Sequence, residues 1–225
     1  SADSPEARAR LALEELKRAG GFARYMLLLA TPAGTGWIDP PGQDTLTFEI
    51  IRTDSLGIAM GGTTGVKIPY PPIRLRDPQG RENTTMVVAN TVLKGRTVAI
   101  TDAYQEQGYD FAGTKAFDRH TGYRSQSFLT VPMKNHQDEI IGVLQLINAQ
   151  DRMTGDIVPF SDTDQRLAES LASQAAVALT NRLLIVQLET LFESFVGLLN
   201  KAIDEKSPYT GGHCERVPAL TMMLA

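Results

Sequence analysis

The spacing of apolar residues changes twice along this chain, and the two changes divide it into three zones. Over residues 4–30, Leu11, Leu13 and Leu16, then Met26, Leu27, Leu28 and Leu29, supply apolar positions for a helical segment. Ser4 can cap it with Pro5 at the first helical position, and Gly20-Gly21 breaks or bends it. Over residues 31–150 the pattern becomes strand-like. The apolar runs at 36–38 and 46–51 flank a Pro/Gly/Asp-rich turn and predict a hairpin. A second hairpin is expected where 128–133 and 139–148 bracket the polar run 134–138. Residues 97–100 read as a short strand, and 82–93 and 115–119 as helices. Residues 61–78, rich in Gly, Pro and Thr, read as a long irregular loop of the kind that covers a site.

The third zone, residues 162–205, reads as one long helix. Ser161 is its expected cap, with Asp162 and Asp164 favourably placed against the helix dipole. At about 1.5 Å rise per residue it would run roughly 65 Å, more than one small domain can bury. Leu171, Ala178, Ile185, Phe192 and Leu199 fall at one heptad position, and Gln174, Asn181, Leu188, Phe195 and Ala202 at the other. That repeat predicts a parallel homodimer through residues 171–202, with Asn181 fixing register. A helix packed only on its own domain is the simpler alternative.

Composition narrows the class. The 225 residues allow one large domain, or a medium one with long flanking helices, and 42% hydrophobic content is ordinary for a chain with a real core. A net charge of −4 with no Lys/Arg block disfavours a nucleic-acid interface. No apolar run is read as approaching the ~20 residues needed to cross a bilayer, so no membrane contact is expected. A single cysteine, Cys214, allows no intrachain disulfide and fits a reducing cytoplasm.

Within the middle zone, three segments stand together: Thr121-Gly122-Tyr123-Arg124, Leu129-x-Val131-Pro132, and the run from Ile141 to Asn148. With the stretches 46–56 and 94–104, they resemble a GAF domain of the kind found in cyclic-nucleotide phosphodiesterases and cyclases. The resemblance covers about residues 21–184. It implies an α+β fold: a central antiparallel sheet of five or six strands, terminal helices on one face, a ligand pocket on the other, and a long C-terminal signalling helix. The domain order expected is an N-terminal helix over 1–20, the GAF domain over 21–160 and the long helix over 161–205.

The resemblance also implies site residues. In members that bind cyclic nucleotides, an Asp, a Thr and a later hydroxyl residue approach the purine; here these are Asp118, Thr121 and Ser125. Arg124 stands near enough to meet an anionic ligand. A carboxylate and two hydroxyls suit a base edge, yet Asp and Thr serve equally as local turn caps. Such domains also carry an Asn-Lys pair after the last strand and a Phe-x-x-x-Asp-Glu helix start. This chain keeps Asn148, Phe160 and Asp164 but has Ala149 and Gln165 for the Lys and the Glu, so that family salt bridge is missing. Covalent bilin would need a pocket cysteine, and haem an axial ligand for which His120 is the pocket-side candidate. The Gly61–Gly65 run lacks the Lys-Ser/Thr of a P-loop.

Residues 206–225 (KSPYTGGHCERVPALTMMLA) resemble the opening of an HD-GYP metal phosphohydrolase domain, with His213 at its first metal-binding histidine. His120, His136 and His213 are the chain's three histidines, too few and too scattered for a catalytic metal centre. The expectation is a non-catalytic sensor with no cofactor of its own beyond a cyclic nucleotide or other small ligand. It would stand ahead of a domain that uses divalent metals to hydrolyse a cyclic dinucleotide such as cyclic di-GMP. The alternative is a dimerisation scaffold with a vestigial pocket.

Overall fold

The computed structural model describes residues 24–32, 45–53, 55–151 and 153–206. The chain divides into two compact units, Ser1–Thr180 and Asn181–Ala225. In the first unit the described strands are β1 (Arg24–Pro32), β2 (Thr45–Thr53), β3 (Ile58–Gly61), β4 (Ile73–Arg74), β5 (Val98–Ile100), β6 (Phe128–Lys134), β7 (Ile140–Gln150) and β8 (Ile157–Val158). They form one sheet in the order β3-β2-β1-β7-β6-β5, with β4 joined to β2 and β8 to β7. All pairings are antiparallel. The helices are α1 (Val87–Lys94), α2 (Ala112–Thr121) and α3 (Asp162–Lys206). This is the expected α+β architecture, with two short strands added to a six-strand path.

Strand β7 organises the core. Residues 141–149 are all buried, as in a strand covered on both faces. Successive side chains alternate between faces, so each face receives its own cover. Leu144 and Leu146 join Leu129, Val131 and Met133 of β6 beneath Ala168, Ala172 and Ala176 of α3. Those alanines are fully buried, and their small side chains let the helix lie close on the sheet. On the other face, Val143 meets Val88, Ala89 and Val92 of α1, and Ile147 meets Phe128, Phe111 and Val87.

Three element readings are corrected. Met26–Leu29, read as helical positions, lie in β1, which is central between β2 and β7. A short continuous apolar run fits a buried strand as well as a helix, and only pairing decides. The helix read over 82–93 starts at Val87. Residues before it are drawn into a turn: Glu82 bonds Arg76 and Lys94, and Asn83 Oδ1 accepts from the Met86 N–H. Lys94, foremost, holds the Glu82 carboxyl below its ordinary range. Finally, the loop read over 61–78 contains the end of β3, a short 3-10 turn at Gly62–Thr64, and β4. Gly61 is required there: its φ is 74°, and a Cβ would clash with the Glu49 carbonyl. The strand read at 36–38 and the helix read over 1–20 lie outside the described residues.

Ser161 and Asp164 start α3 as a reciprocal box: Asp164 Oδ2 accepts from the Ser161 N–H and hydroxyl, and Ser161 Oγ accepts from the Asp164 N–H at 3.2 Å. Where the expected family lysine is replaced by Ala149, Asp164 serves as this cap.

The second unit, described from 181 to 206, is helical. Three apolar rows run along it at seven-residue spacing: Leu184, Leu191 and Leu198; Ile185, Phe192 and Leu199; Leu188 and Phe195, all exposed. Gln187, Thr190, Glu193, Ser194, Asn200 and Lys201 occupy the other side. Thr190 and Ser194 donate to carbonyls one turn back, which satisfies their hydroxyls within the helix. Between Asp162 and Ala202 an 18-residue window reaches a mean hydropathy of 1.4, enough by length and composition to cross a membrane. No unbroken apolar run announces it in the sequence, because the average is reached with polar residues interspersed.

Because α3 sits on its alanines, Ala172→Leu is expected to force the helix off the sheet. The cost should be about 1–3 kcal/mol, read as a lower denaturation midpoint with an unchanged slope.

Candidate functional site

Helix α2 has one fully buried side chain among its residues, and it is charged: Asp118, 3% exposed. A buried carboxylate has to be hydrogen-bonded. Asp118 Oδ1 accepts from the Ser125 hydroxyl at 2.8 Å, and Oδ2 accepts from the Ser125 N–H and the Tyr104 hydroxyl, each at 2.7 Å. Two of the predicted site residues, Asp118 and Ser125, are thereby brought together in direct contact. Thr121 does something different: its hydroxyl donates to the Phe117 carbonyl and accepts from the Tyr123 N–H, closing the end of α2 ahead of Gly122.

Arg124 is exposed, and its guanidinium lies 4.3 Å from the centre of the Tyr104 ring. Lys115 approaches the same ring at 5.3 Å. Tyr104 is therefore held by a buried acceptor at its hydroxyl and by cations at its ring. The bond to Asp118, foremost, with burial and the charge of Asp118 behind it, pushes the phenol above its ordinary range. The sign follows: the raised phenol favours folding below its ordinary pKa, and that contribution is lost as pH climbs through the raised value.

The loop after Asp118 is fixed from the other side by Asn148. This residue is fully buried with φ 62°, a left-handed backbone that Asn tolerates better than most residues. Its Oδ1 accepts from the N–H groups of Gln126 and Ser127, and its Nδ2 donates to the Arg124 carbonyl at 2.7 Å and the Tyr123 hydroxyl at 2.9 Å. An Asn side chain offers four such positions, and all are used. Ser127 continues the chain: its hydroxyl donates to the Val158 carbonyl on β8 and accepts from the Ala149 N–H.

A continuous polar path thus runs from Tyr104 through Asp118 to the 123–127 loop, then through Asn148 and Ser127 to β8. Three residues past β8 stands Ser161, the cap of α3. Sequence reading singles out Asp118 and Ser125 but misses Tyr104 as the partner of Asp118 and Tyr123 as a partner of Asn148. Neither tyrosine carries a local signal, since each bond closes only in the folded chain. Asn148 was noted as a retained motif residue without a role. Among the described residues no three His, Cys, Asp or Glu side chains gather as a metal set. His120 and His136 are exposed, and His213 lies outside the described residues.

The described residues thus form an α+β domain: an antiparallel sheet with a polar loop clamped at the end of β7 and a long helix beginning just past β8. The GAF domain family model matches residues 4–179, and the chain belongs to the GAF family. Curated relatives include the dual 3',5'-cyclic-AMP and -GMP phosphodiesterase 11A of Takifugu rubripes, 33% identical over 39% of this chain. The dual phosphodiesterase 11 of Drosophila melanogaster is 31% identical over 43% of it. These matches span only 9% and 6% of the relatives' lengths. Among solved structures, the GAF domain region of a membrane protein from Geobacter sulfurreducens covers 78% of this chain and 95% of its own, with a TM-score of 0.49 at 15% identity. GAF domains are a class of small-molecule-sensing regulatory modules.

Asn148→Asp is expected to cost about 3 kcal/mol. It replaces two buried donors with an acceptor and leaves the Arg124 carbonyl facing a carboxylate. Chemical denaturation measures the loss, and a variant as stable as wild type would remove Asn148 from this account.

Proposed function

We propose that this chain is the sensing module of a larger signalling protein. A small molecule bound beside α2, under the 61–78 segment, changes the 123–127 loop, and the change reaches the start of α3. The observation that carries this reading is the hydrogen-bond path from Tyr104 and Asp118 through Asn148 and Ser127 to Val158. Its members have few alternative partners in a buried setting, so a ligand that moves Ser125 or Arg124 has to move the rest. In this reading Asp118 shapes the loop, because it already holds Tyr104 and Ser125, while Thr121 closes the helix end. Arg124, exposed on the Tyr104 ring, meets the anionic part of the ligand. A cyclic nucleotide is the ligand class favoured by the phosphodiesterase relatives.

The output is read through α3. Three exposed apolar rows at seven-residue spacing are the surface of a helix that pairs with copies of itself, so the signalling unit is a homodimer. Beyond it, the resemblance of residues 206–225 to an HD-GYP start makes the parent a metal-dependent phosphohydrolase. There His213 would hold the first divalent metal. A second reading keeps the dimer and drops the ligand. It is favoured by the internal bonding of Asp118, Thr121 and Ser125, which leaves them little capacity for a purine.

Calorimetric titration with cyclic AMP, cyclic GMP and cyclic di-GMP separates the two. Binding of one of them, weakened about tenfold or more by Arg124→Ala, is the expected outcome. Heat with none of them would leave the scaffold reading standing. For the seam, sedimentation of the wild-type chain should show a dimer, and Leu188→Asp should shift it to monomer; a dimer unchanged by that charge would sink the pairing of this face.

A further inference from the structure

The polar path above lies with the α1 side of the sheet. On the α3 side the chain carries a separate groove of about 630 Å³, lined by Gly95, Arg96, Thr97, Lys134, Gln165 and Glu169 among others. A stripe of α3 at four-residue spacing, Gln165, Glu169 and Ser173, forms one wall, and all three are polar where a packed helix would carry apolar residues. Val131 and Pro132 of β6 also line it, the Val131 side chain being buried in the core beneath α3.

Its charges are arranged. Glu169 Oε1 accepts from the Thr97 hydroxyl at 2.6 Å and from the Gln165 side-chain amide at 3.0 Å. Two donors on one oxygen fix the carboxylate, and Oε2 takes no hydrogen bond from a described residue. On the other side, Lys134 Nζ stands 3.1 Å from Asp138 and close over Gly95. Gly95 ends α1 at φ 60°, a conformation in which a side chain is strained, so this part of the groove stays open. Arg96, next to it, is exposed, with no ion pair among the described residues. The lining therefore holds two cations and two carboxylates. A purely anionic ligand would face Glu169 and Asp138, and a purely cationic one would face Arg96 and Lys134. A ligand that carries both charges is matched at both ends.

We propose that this groove is a second ligand site and that it takes a small zwitterion of the free amino acid class. The ligand carboxylate lies on the Arg96 fork and its ammonium on Glu169 Oε2. The volume is within the range of small-molecule sites. Because Glu169 belongs to α3, occupancy acts on that helix directly, without passing through the Asp118 path.

The test is calorimetric titration of the whole chain with acidic, basic and aliphatic free amino acids. Inorganic phosphate and spermidine serve as probes of single sign. At least one amino acid should bind with a dissociation constant below about 1 mM, and Glu169→Gln and Arg96→Gln should each weaken it about tenfold or more. Circular dichroism checks that both variants keep their helix content; if Glu169→Gln does not, Arg96→Gln, which breaks no hydrogen bond or ion pair among the described residues, decides alone. No amino acid binding, binding untouched by Arg96→Gln, or tighter binding of phosphate or spermidine would each overturn the proposal. Amino acid binding lost in Arg124→Ala but kept in Arg96→Gln would assign the ligand to the loop site and overturn it equally.

Discussion

The segment between α2 and β6 reverses direction against the end of β7, where its buried and half-buried backbone groups need partners within the protein. Tyr123, Arg124, Gln126 and Ser127 each place a polar group against the end of β7, and the single side chain of Asn148 answers all four. Few residues could do this. The position needs two acceptors and two donors in one plane, and it needs a left-handed backbone. Asp would supply no donors and Gly no side chain. Everything later in the chain inherits this constraint, because β8 is hung on Ser127, and α3 begins just after β8.

The buried Asp118 is the complementary half of the same solution. Asn148 fixes the loop from the sheet, and Asp118 fixes it from α2 by accepting from Ser125 and Tyr104. A carboxylate is costly to bury, and truncating a partner in such a cluster is more damaging than the pairwise bond would suggest. Asp118 is the one acidic side chain among the buried described residues, and its cost is met by three hydrogen bonds from Ser125 and Tyr104.

The two faces of the sheet do different things with similar material. Toward α1 the aromatic cluster of Phe111, Phe128, Tyr109 and Tyr123 closes over the loop. Toward α3 the contact is made by alanines, which let the helix approach closely and leave its polar flank standing beside the sheet edge. The groove at Glu169 exists because the helix is close there and its 165–169–173 stripe has no apolar residue to fill the gap. Past Thr180 the same helix reverses this character and presents apolar rows outward.

Periodicity in the sequence was enough to determine the second half of the fold. The run from Phe128 to Gln150 declares a hairpin because apolar residues continue on both sides of a polar turn, and α3 declares itself through Ser161, Asp164 and a heptad repeat whose second position is polar at Gln174 and Asn181. The GAF architecture was legible from the residues between Thr121 and Asn148. Tertiary structure decided the rest, and the reason in each case is that pairing partners are distant in sequence. Met26–Leu29 became strand because β2 and β7 lie on either side of it, and residues 82–86 stayed out of α1 because Arg76 and Lys94 hold Glu82. At the site, the residue types at Asp118 and Ser125 could be picked out from a motif. Their contact with Tyr104, and the four-way clamp by Asn148, depend on groups 14 to 25 positions apart that meet only when the sheet closes.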